Sequence, residues 1–366
     1  MSDQKKQYGL RLWLGRASFG FVILLTLVLV FLDWRGGRSW WSSLPLFFPS
    51  QCWLAPLVVL FPAALLLNRR LCWLLLVPVI LVCFVYMRFH CSMGRTAHPA
   101  DITLLSNNIA DRDLAGLWSF IESCNPDVLA LQEAKYWAQT IRKRFSNRHI
   151  SINGEFAIVS RFPIISATPV VGMNRGGFPL AVRYKLLRDG RSFVVYNIHM
   201  PTPRSYFLAL RDGVLSDPLL PQAQIATRQS WRSYADYWSQ RIELTRLLVA
   251  AMDREQEPFV LAGDFNMPDH GTMYREFKSR CVDSFASAGC GYGLTFPGNS
   301  DTIVSLHRPW LRIDYQFAGT GIRPITCEVE PWKRAKHLAV FGQYELQPEC
   351  DSNVNRDSLI SFKSFH

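Results

Sequence analysis

The stretch FVLAGDFNMPDH, residues 259–270, decides how the chain folds. Phe259 to Ala262 are apolar, Gly263 breaks the run, and Asp264, Phe265 and Asn266 follow at once. A short apolar run bounded by glycine reads as a buried strand. Side chains two apart on a strand face the same way, so Asp264 and Asn266 project together while Phe265 packs behind them. Such a strand carries a carboxylate and an amide to the edge of a sheet, where ligand sites form.

Outward from that stretch the pattern recurs. Strands are predicted at ITLLSNNI (102–109), DVLALQE (127–133), FAIVSRFPI (156–164), LAVRYKL (180–186), FVVYNIH (193–199), LRIDYQF (311–317) and HLAVFGQYEL (337–346). Helical spacing of Leu114, Leu117, Trp118 and Ile121 predicts a helix over Asp113 to Ser123. A longer helix is predicted from about Gln222 to Arg254, through Tyr234, Trp238, Ile242, Leu247 and Leu248. Residues 101–346 therefore form one α/β domain, preceded by a polar linker at 91–100 and followed by a polar tail at 347–366.

Several strands end on groups that bind metals or move protons: Asn108, Glu133, His199, Asp264 with Asn266, Asp314, and His337 at a strand's start. Each has an ordinary reading alone. A glutamate before a helix is usually solvated, a histidine at a strand end is usually structural, and GDFN is a respectable turn. Together they suit metal-assisted phosphoester hydrolysis. Asn108 and Glu133 offer hard oxygens for Mg²⁺, with Mn²⁺ as the alternative ion. Asp264 takes a proton from water that Asn266 orients. His199 and His337 donate to phosphate oxygens, and Asp314 keeps an imidazole protonated.

The first quarter of the chain is different in kind. Ala17 to Leu32 is almost wholly apolar, Ser39 to Asn68 is uncharged, and Leu71 to Met87 is a third apolar run. At about 1.5 Å per residue, the first and third nearly cross a ~30 Å hydrocarbon core, and Trp13, Trp34, Trp40 and Trp41 suit its interfaces. Residues 1–90 thus read as a three-helix transmembrane anchor. Cleavage of the first run as a signal peptide competes, but DWRGGRSWW offers no small-x-small site. The second run, with Pro45, Pro49, Pro56 and Pro62, has a re-entrant alternative that would reverse the topology. Lys5, Lys6, Arg11, Arg16, Arg69 and Arg70 outweigh Arg35 and Arg38, which favours an inside N-terminus and an extracytoplasmic domain. Hydrophobic residues make up 49% of the 366, high for a purely soluble enzyme. Past the apolar runs, Cys91, Cys124, Cys281, Cys290, Cys327 and Cys350 are compatible with disulfides or with free thiols.

In this order, SNNI with Asn108, LQE with Glu133, VSRFPI, NIH with His199, GDFN with Asp264 and Asn266, RIDY with Asp314, and the final His337 resemble the endonuclease/exonuclease/phosphatase superfamily, the deoxyribonuclease-like fold. The resemblance covers about residues 101–346. It implies a four-layered sandwich, two packed β-sheets flanked by helices, and Mg²⁺-dependent cleavage of a phosphoester. Three membrane helices ahead of it, with HMPTPR (199–204) and GYGLTFPG (291–298), look like membrane-anchored VanJ-type members linked to teicoplanin resistance. Their implied substrate is a lipid-linked phosphate.

The chain departs from the family at RAKHLAV (334–340), where members carry Ser-Asp-His and this sequence has Ala335 and Lys336 before His337. A cation there either weakens metal binding or contacts a substrate phosphate. Arg204, five residues past His199, is placed to grip a second phosphate.

The expected activity is that of a membrane-tethered phosphoester hydrolase acting on a phospholipid-like or polyprenyl phosphate or pyrophosphate. Two alternatives stand beside it: an anchored nuclease, and a catalytically degenerate binding protein. A net charge of +11 suits nucleic acid, and equally suits anionic membrane lipids. No sequence-reading helix or aromatic–basic ladder for single strands accompanies it. Tyr206, Phe207, Leu208 and Leu210 either rest on a bilayer beside the site or pack in the core.

Overall fold

The computed structural model describes residues 2–92, 99–110, 114–173, 179–208, 221–299, 306–331 and 335–348. Most of the anticipated linker and nearly all of the polar tail lie outside them, as does Leu210.

Two six-stranded sheets form the body. In chain order the strands are β1 (Ile102–Asn108), β2 (Val128–Gln132), β3 (His149–Asn153), β4 (Phe156–Ser160), β5 (Ile164–Met173), β6 (Pro179–Arg188), β7 (Arg191–His199), β8 (Phe259–Asp264), β9 (Val282–Asp283), β10 (Asp314–Ala318), β11 (Ile322–Val329) and β12 (Val340–Leu346). One sheet runs β11-β12-β1-β2-β4-β3 and the other β9-β10-β8-β7-β6-β5. Each holds one parallel pair, β1 with β2 and β7 with β8, among antiparallel neighbours. A parallel pair needs a crossover, and a helix lies within each connection: Leu114–Cys124 in the first and the long Pro221–Met252 in the second.

The apolar surfaces sort into layers. Leu104, Ala130, Ile158, Val182, Val195 and Val260 meet between the sheets. Leu117 and Ile121 cover one outer face with Leu105, Leu129 and Val159. Tyr234, Trp238 and Leu248 cover the other with Tyr196, Leu261 and Phe317. The four-layered sandwich implied by the motifs is therefore the observed fold.

Polar ties cross the apolar middle layer. Gln132 Nε2 on β2 donates to Asn197 Oδ1 on β7 at 2.6 Å, and Asn197 Nδ2 donates back to the carbonyls of Leu131 and Ala157, each at 3.1 Å. Gln316 Nε2 on β10 donates to the carbonyls of Leu104 and Val340 in the opposite sheet. Satisfied buried amides of this kind fix how the sheets sit on each other, because a slip would leave them unpaired at a cost of about 1–3 kcal/mol each.

Strand prediction missed β3, β5, β9 and β11, which are the four edge strands of the two sheets. Edges are half solvated and carry no apolar run; Pro169 in β5 and Pro324 in β11, where the register shifts before Thr326, are tolerated there. The predicted run 156–164 is two strands, broken at Arg161 to Pro163.

The first apolar run lies within helix Ser2–Arg35. The third is helix Leu71–Ile80, continued by a wider turn to Tyr86. The middle run is a correction. It is not one helix: Trp40–Ser43 is a single α-helical turn, Leu44–Phe47 and Ser50–Leu54 are tighter turns, and Leu57–Leu67 is α-helical, so the apolar helical stretch runs only from Ser50 to Leu67. Its first part is uncharged because it packs on protein. Trp238 Nε1 donates to the Gly37 carbonyl at 2.8 Å, Ser43 Oγ lies 2.6 Å from the Tyr234 hydroxyl, and Phe47 meets Phe207 ring to ring at 5.0 Å.

Leu14, Leu60, Ala64 and Leu75 pack together at one end of the three helices, and Leu25, Leu29, Leu32, Val82 and Tyr86 at the other. The second end meets the sandwich. Arg88 pairs with Asp33, and the His270 ring stacks on Tyr86 at 4.1 Å. Gly271 (φ +80°) touches Gly36 there; a Cβ would lie 2.3 Å from the Gly36 carbonyl oxygen, so only glycine fits. The helices remain bare elsewhere, with Leu24, Leu27, Val58, Val59, Leu66, Trp73 and Val85 all exposed. Two segments, Gln4–Arg35 and Ser50–Leu67, are long and apolar enough to cross a membrane, and Leu71–Tyr86 is shorter. Among the described residues the cysteines are free thiols, with Cys91 facing Cys290 across a two-residue ladder.

Candidate active site

The register of three strands builds the centre of the site. Asp264, last residue of β8, lies opposite His199 at the end of β7 and opposite Asp314 at the start of β10. In the other sheet Asn108 ends β1 beside Gln132, and Glu133 follows directly. Gly263 is required by this convergence: at φ +141° a Cβ would lie 2.1 Å from the Ile198 carbonyl oxygen.

Around Asp264 the groups are close. Asn108 Nδ2 donates to Asp264 Oδ2 and to Glu133 Oε1, each at 3.1 Å, while its oxygen accepts from the Ala110 N–H at 3.0 Å. His199 Nε2 stands 3.8 Å from both Glu133 and Asp264. His337 Nδ1 lies 3.2 Å from both oxygens of Asp314 and 3.7 Å from Asp264. The Asn266 N–H donates to Asp264 Oδ1 at 2.8 Å, and its Nδ2 donates to the Met200 carbonyl at 2.9 Å. A cavity of about 410 Å³ opens over this group and is lined by Asn108, Glu133, His199, Arg204, Asp264, Asn266, Lys336 and His337. Asp314 does not reach it; buried behind His337, it acts through that ring.

GYGLTFPG proves to be the brace for this wall. Thr295 Oγ1 accepts from the N–H groups of Ile313 and Asp314, its carbonyl accepts from Leu338 N–H, and the Phe296 ring lies 4.8 Å from that of His337. It ties RIDY to the segment that carries His337 into β12.

Burial and charge oppose each other here. Burial disfavours the charged form of His199, but the carboxylates of Glu155, Asp264 and Glu133 outweigh it and push its pKa up to about 9. Burial lowers His337 too, and the charges of Asp314 and Asp264 reverse it to a net rise, with Lys336 opposing. Burial raises Asp264, and neighbouring Asp314 raises it further against the two imidazoles. His199 is thus held as a donor, the protonated form of His337 is favoured, and Asp264 has a heightened proton affinity.

Two contributors escaped sequence reading. Glu155, in the turn before β4, places Oε1 3.3 Å from His199 Nδ1. Nothing but its position ahead of a strand in NGEFAIVS marks it. Arg241 is buried on the long helix and donates to the carbonyls of Pro201 (2.6 Å), Phe265 (2.8 Å) and Asn266 (2.5 Å). It did leave a signal: an arginine standing on the buried face of Tyr234, Trp238, Thr245 and Leu248.

Asp264, Asp314 and His337 offer ligand atoms within 4.8 Å of one another, with Glu133 across the cavity. The carboxylates of Glu133 and Asp264, which both line the cavity, supply hard oxygens of the kind a divalent cation takes, so the residues present fit a metal.

Residues 104–336 match the Endonuclease/Exonuclease/phosphatase family. No curated protein matches the chain. Similar solved structures include an endonuclease/exonuclease/phosphatase from Bacteroides vulgatus (15% identity, 68% of this chain and 100% of that one, TM-score 0.47). Another is the mannosyl-6-phosphatase of Bacteroides thetaiotaomicron (14%, 67% and 100%, 0.45), and a third is TDP2 from Caenorhabditis elegans (15%, 66% and 74%, 0.45). The family match spans well over half the chain and contains every strand-end group of the site except His337, which follows it directly: the chain belongs to the endonuclease/exonuclease/phosphatase family, whose members are generally divalent-metal-dependent hydrolases of phosphoester bonds.

Proposed function

We propose that the chain is a membrane-anchored, Mg²⁺-dependent hydrolase of a lipid-linked phosphate or pyrophosphate, with Mn²⁺ as the alternative ion. The observation that carries the reading is the convergence of Asp264, His337, His199 and Glu133 on one cavity, with Asp314 buried behind His337. Glu133 and Asp264 would hold the ion, which when bound neutralises charge developing on the phosphoryl group; Asn108, expected as a ligand, instead turns its Nδ2 to both carboxylates and orients them. Asp264 accepts the proton of the attacking water. Asn266 has its Nδ2 committed to Met200, so it offers that water its oxygen. His199 and His337 donate to phosphate oxygens. Arg204 and Lys336, on the cavity wall, take a second phosphate or the rest of the head group.

The reading takes three crossings of a bilayer: Gln4–Arg35 and Ser50–Leu67 are long and apolar enough to span, and Leu71–Tyr86, a shorter apolar helix, would be the third. Lys5, Lys6, Arg11, Arg16, Arg69 and Arg70 gather at the end of the helices away from the sandwich. By the positive-inside bias that end is cytoplasmic, so the site faces outward at the membrane surface. A reporter fluorescent only in the cytoplasm, fused after His366, stays dark on this reading; a bright fusion reverses the topology.

Full-length protein assayed with Mg²⁺ against polyprenyl pyrophosphate, plasmid DNA and single-stranded DNA tests the activity. Turnover of the first is expected. Cleavage of DNA alone would make the chain an anchored nuclease. Glu133→Ala and Asp264→Ala should each lose about 10²- to 10⁴-fold, the usual cost of removing such a group, and a folded Asp264→Ala protein with near wild-type turnover defeats the assignment.

A further inference from the structure

We propose that a second cavity beside the catalytic one is the groove for the hydrocarbon chain of the substrate, and that the membrane segment supplies one of its walls through Phe47. The inference rests on the phosphoester reading above and names the substrate class: an amphiphile whose phosphate is joined directly to a single apolar chain.

The cavity has a volume of about 650 Å³, within the range of small-molecule sites, and is lined by Phe47, Phe207, Leu208, Pro297, Trp310 and Leu311. It is continuous with the catalytic cavity, because Thr202, Arg204, Asn266, Phe296 and Lys336 line both. The two cations therefore stand at the boundary between a carboxylate–imidazole centre and an apolar trough. That order of surfaces matches a phosphate with its chain running away from the reacting end. A nucleic acid would need cations spaced along its backbone and would place a second phosphate where this groove is apolar.

The position of Phe47 is fixed by contacts on both sides. Trp310 Nε1 donates to its carbonyl at 3.4 Å, its ring meets Phe207 at 5.0 Å and Trp238 at 6.3 Å, and Gly37 and Ser43 pin the same segment to the long helix. This segment leads into the apolar helix Leu57–Leu67, so the wall that Phe47 supplies is continuous in sequence with the apolar helices. The N-terminal unit is thus part of the substrate site as well as an anchor.

Binding of hydrolysis-resistant alkylphosphonates, from methyl to octyl, to full-length protein in nanodiscs tests the groove without needing turnover. Wild-type affinity should rise by up to about fourfold per methylene, the gain for burying one. The ratio of octyl to methyl affinity should collapse in Phe47→Ser and in Leu208→Asp; the latter alters a side chain already 40% exposed, so its folding is not at stake. Affinity independent of chain length, or a ratio unchanged in both variants, overturns the groove. Phosphoester hydrolysis with no chain-length dependence would remove the groove and leave the hydrolase. A chain-length dependence lost in the variants, with no ester turned over under any metal, would keep the groove and remove the hydrolase.

Discussion

Arg241 Nη2 donates to the Asn266 carbonyl at 2.5 Å while Nη1 of the same guanidinium holds Pro201 at 2.6 Å. One buried cation therefore clamps the segment after β7, which carries His199, to the segment after β8, which carries Asp264 and Asn266. Lysine keeps the charge but cannot reach three carbonyls from one planar fork. Arg241→Lys should lower kcat by roughly 10²-fold through misplacement on the order of 1 Å, with KM little changed and metal affinity retained. A variant that is folded and fully active would show the clamp to be redundant.

The pH profile should carry the mark of His199. Its pKa, raised to about 9 by the surrounding carboxylates against burial, keeps the ring protonated at neutral pH, so donation to phosphate is lost as pH rises through about 9. kcat/KM at saturating metal should fall on that alkaline limb. Glu155→Gln removes one carboxylate beside the ring and should move the limb to lower pH. An alkaline limb that stays in place in Glu155→Gln would mean that a different group sets it.

How much of this was written in the sequence follows from burial. Central strands are apolar on both faces, so β1, β2, β4, β7 and β8 announced themselves, and each polar terminus stood out against its run. Edge strands did not, since solvent on one side erases the contrast. Asn108, Glu133, His199, Arg204, Asp264, Asn266, Lys336 and His337 all line one cavity, with Asp314 behind. Glu155 was hidden because its contact with His199 spans two sheets and has no local pattern. The uncharged run Ser39 to Asn68 is legible only in part for a related reason: apolar composition does not distinguish Ser50–Leu67, long and apolar enough to cross a membrane, from the stretch before it, where Trp40 meets Tyr234 and Phe47 meets Trp238.

Arg312, in RIDY, is expected to serve stability. It is buried and forked onto Asp283, with Nη1 2.8 Å from Oδ2 and Nη2 bonded to Oδ1, while Tyr274 donates to the same carboxylate at 2.7 Å. Burial raises the pKa of Asp283, but Arg312 overrides it and holds the carboxyl below its ordinary value. Arg312→Met leaves that charge unpaired and should cost about 3–5 kcal/mol, read as a lowered Tm. Adding Asp283→Leu should recover much of the loss, though the Tyr274 hydroxyl then lacks its acceptor. A double variant no more stable than the single would contradict this account.

Lys336 stands where the resemblance to the family implies an aspartate, and its effect can be assigned a sign. The residue lines the catalytic cavity, and its charge opposes the proton on His337, so it acts on the site electrostatically. Lysine in place of aspartate changes the local charge from about −1 to +1, which disfavours a divalent cation held by Glu133 and its neighbours. The same charge favours an anionic head group. Lys336→Asp should therefore lower the Mg²⁺ concentration for half-maximal activity while raising KM for a pyrophosphate more than for a monoester. Measuring both constants separates the two effects. An unchanged metal requirement would show that Lys336 acts on substrate alone. A wild type inactive at every metal concentration, with Lys336→Asp restoring turnover, would make the natural chain a binding protein whose hydrolytic residues persist without their reaction.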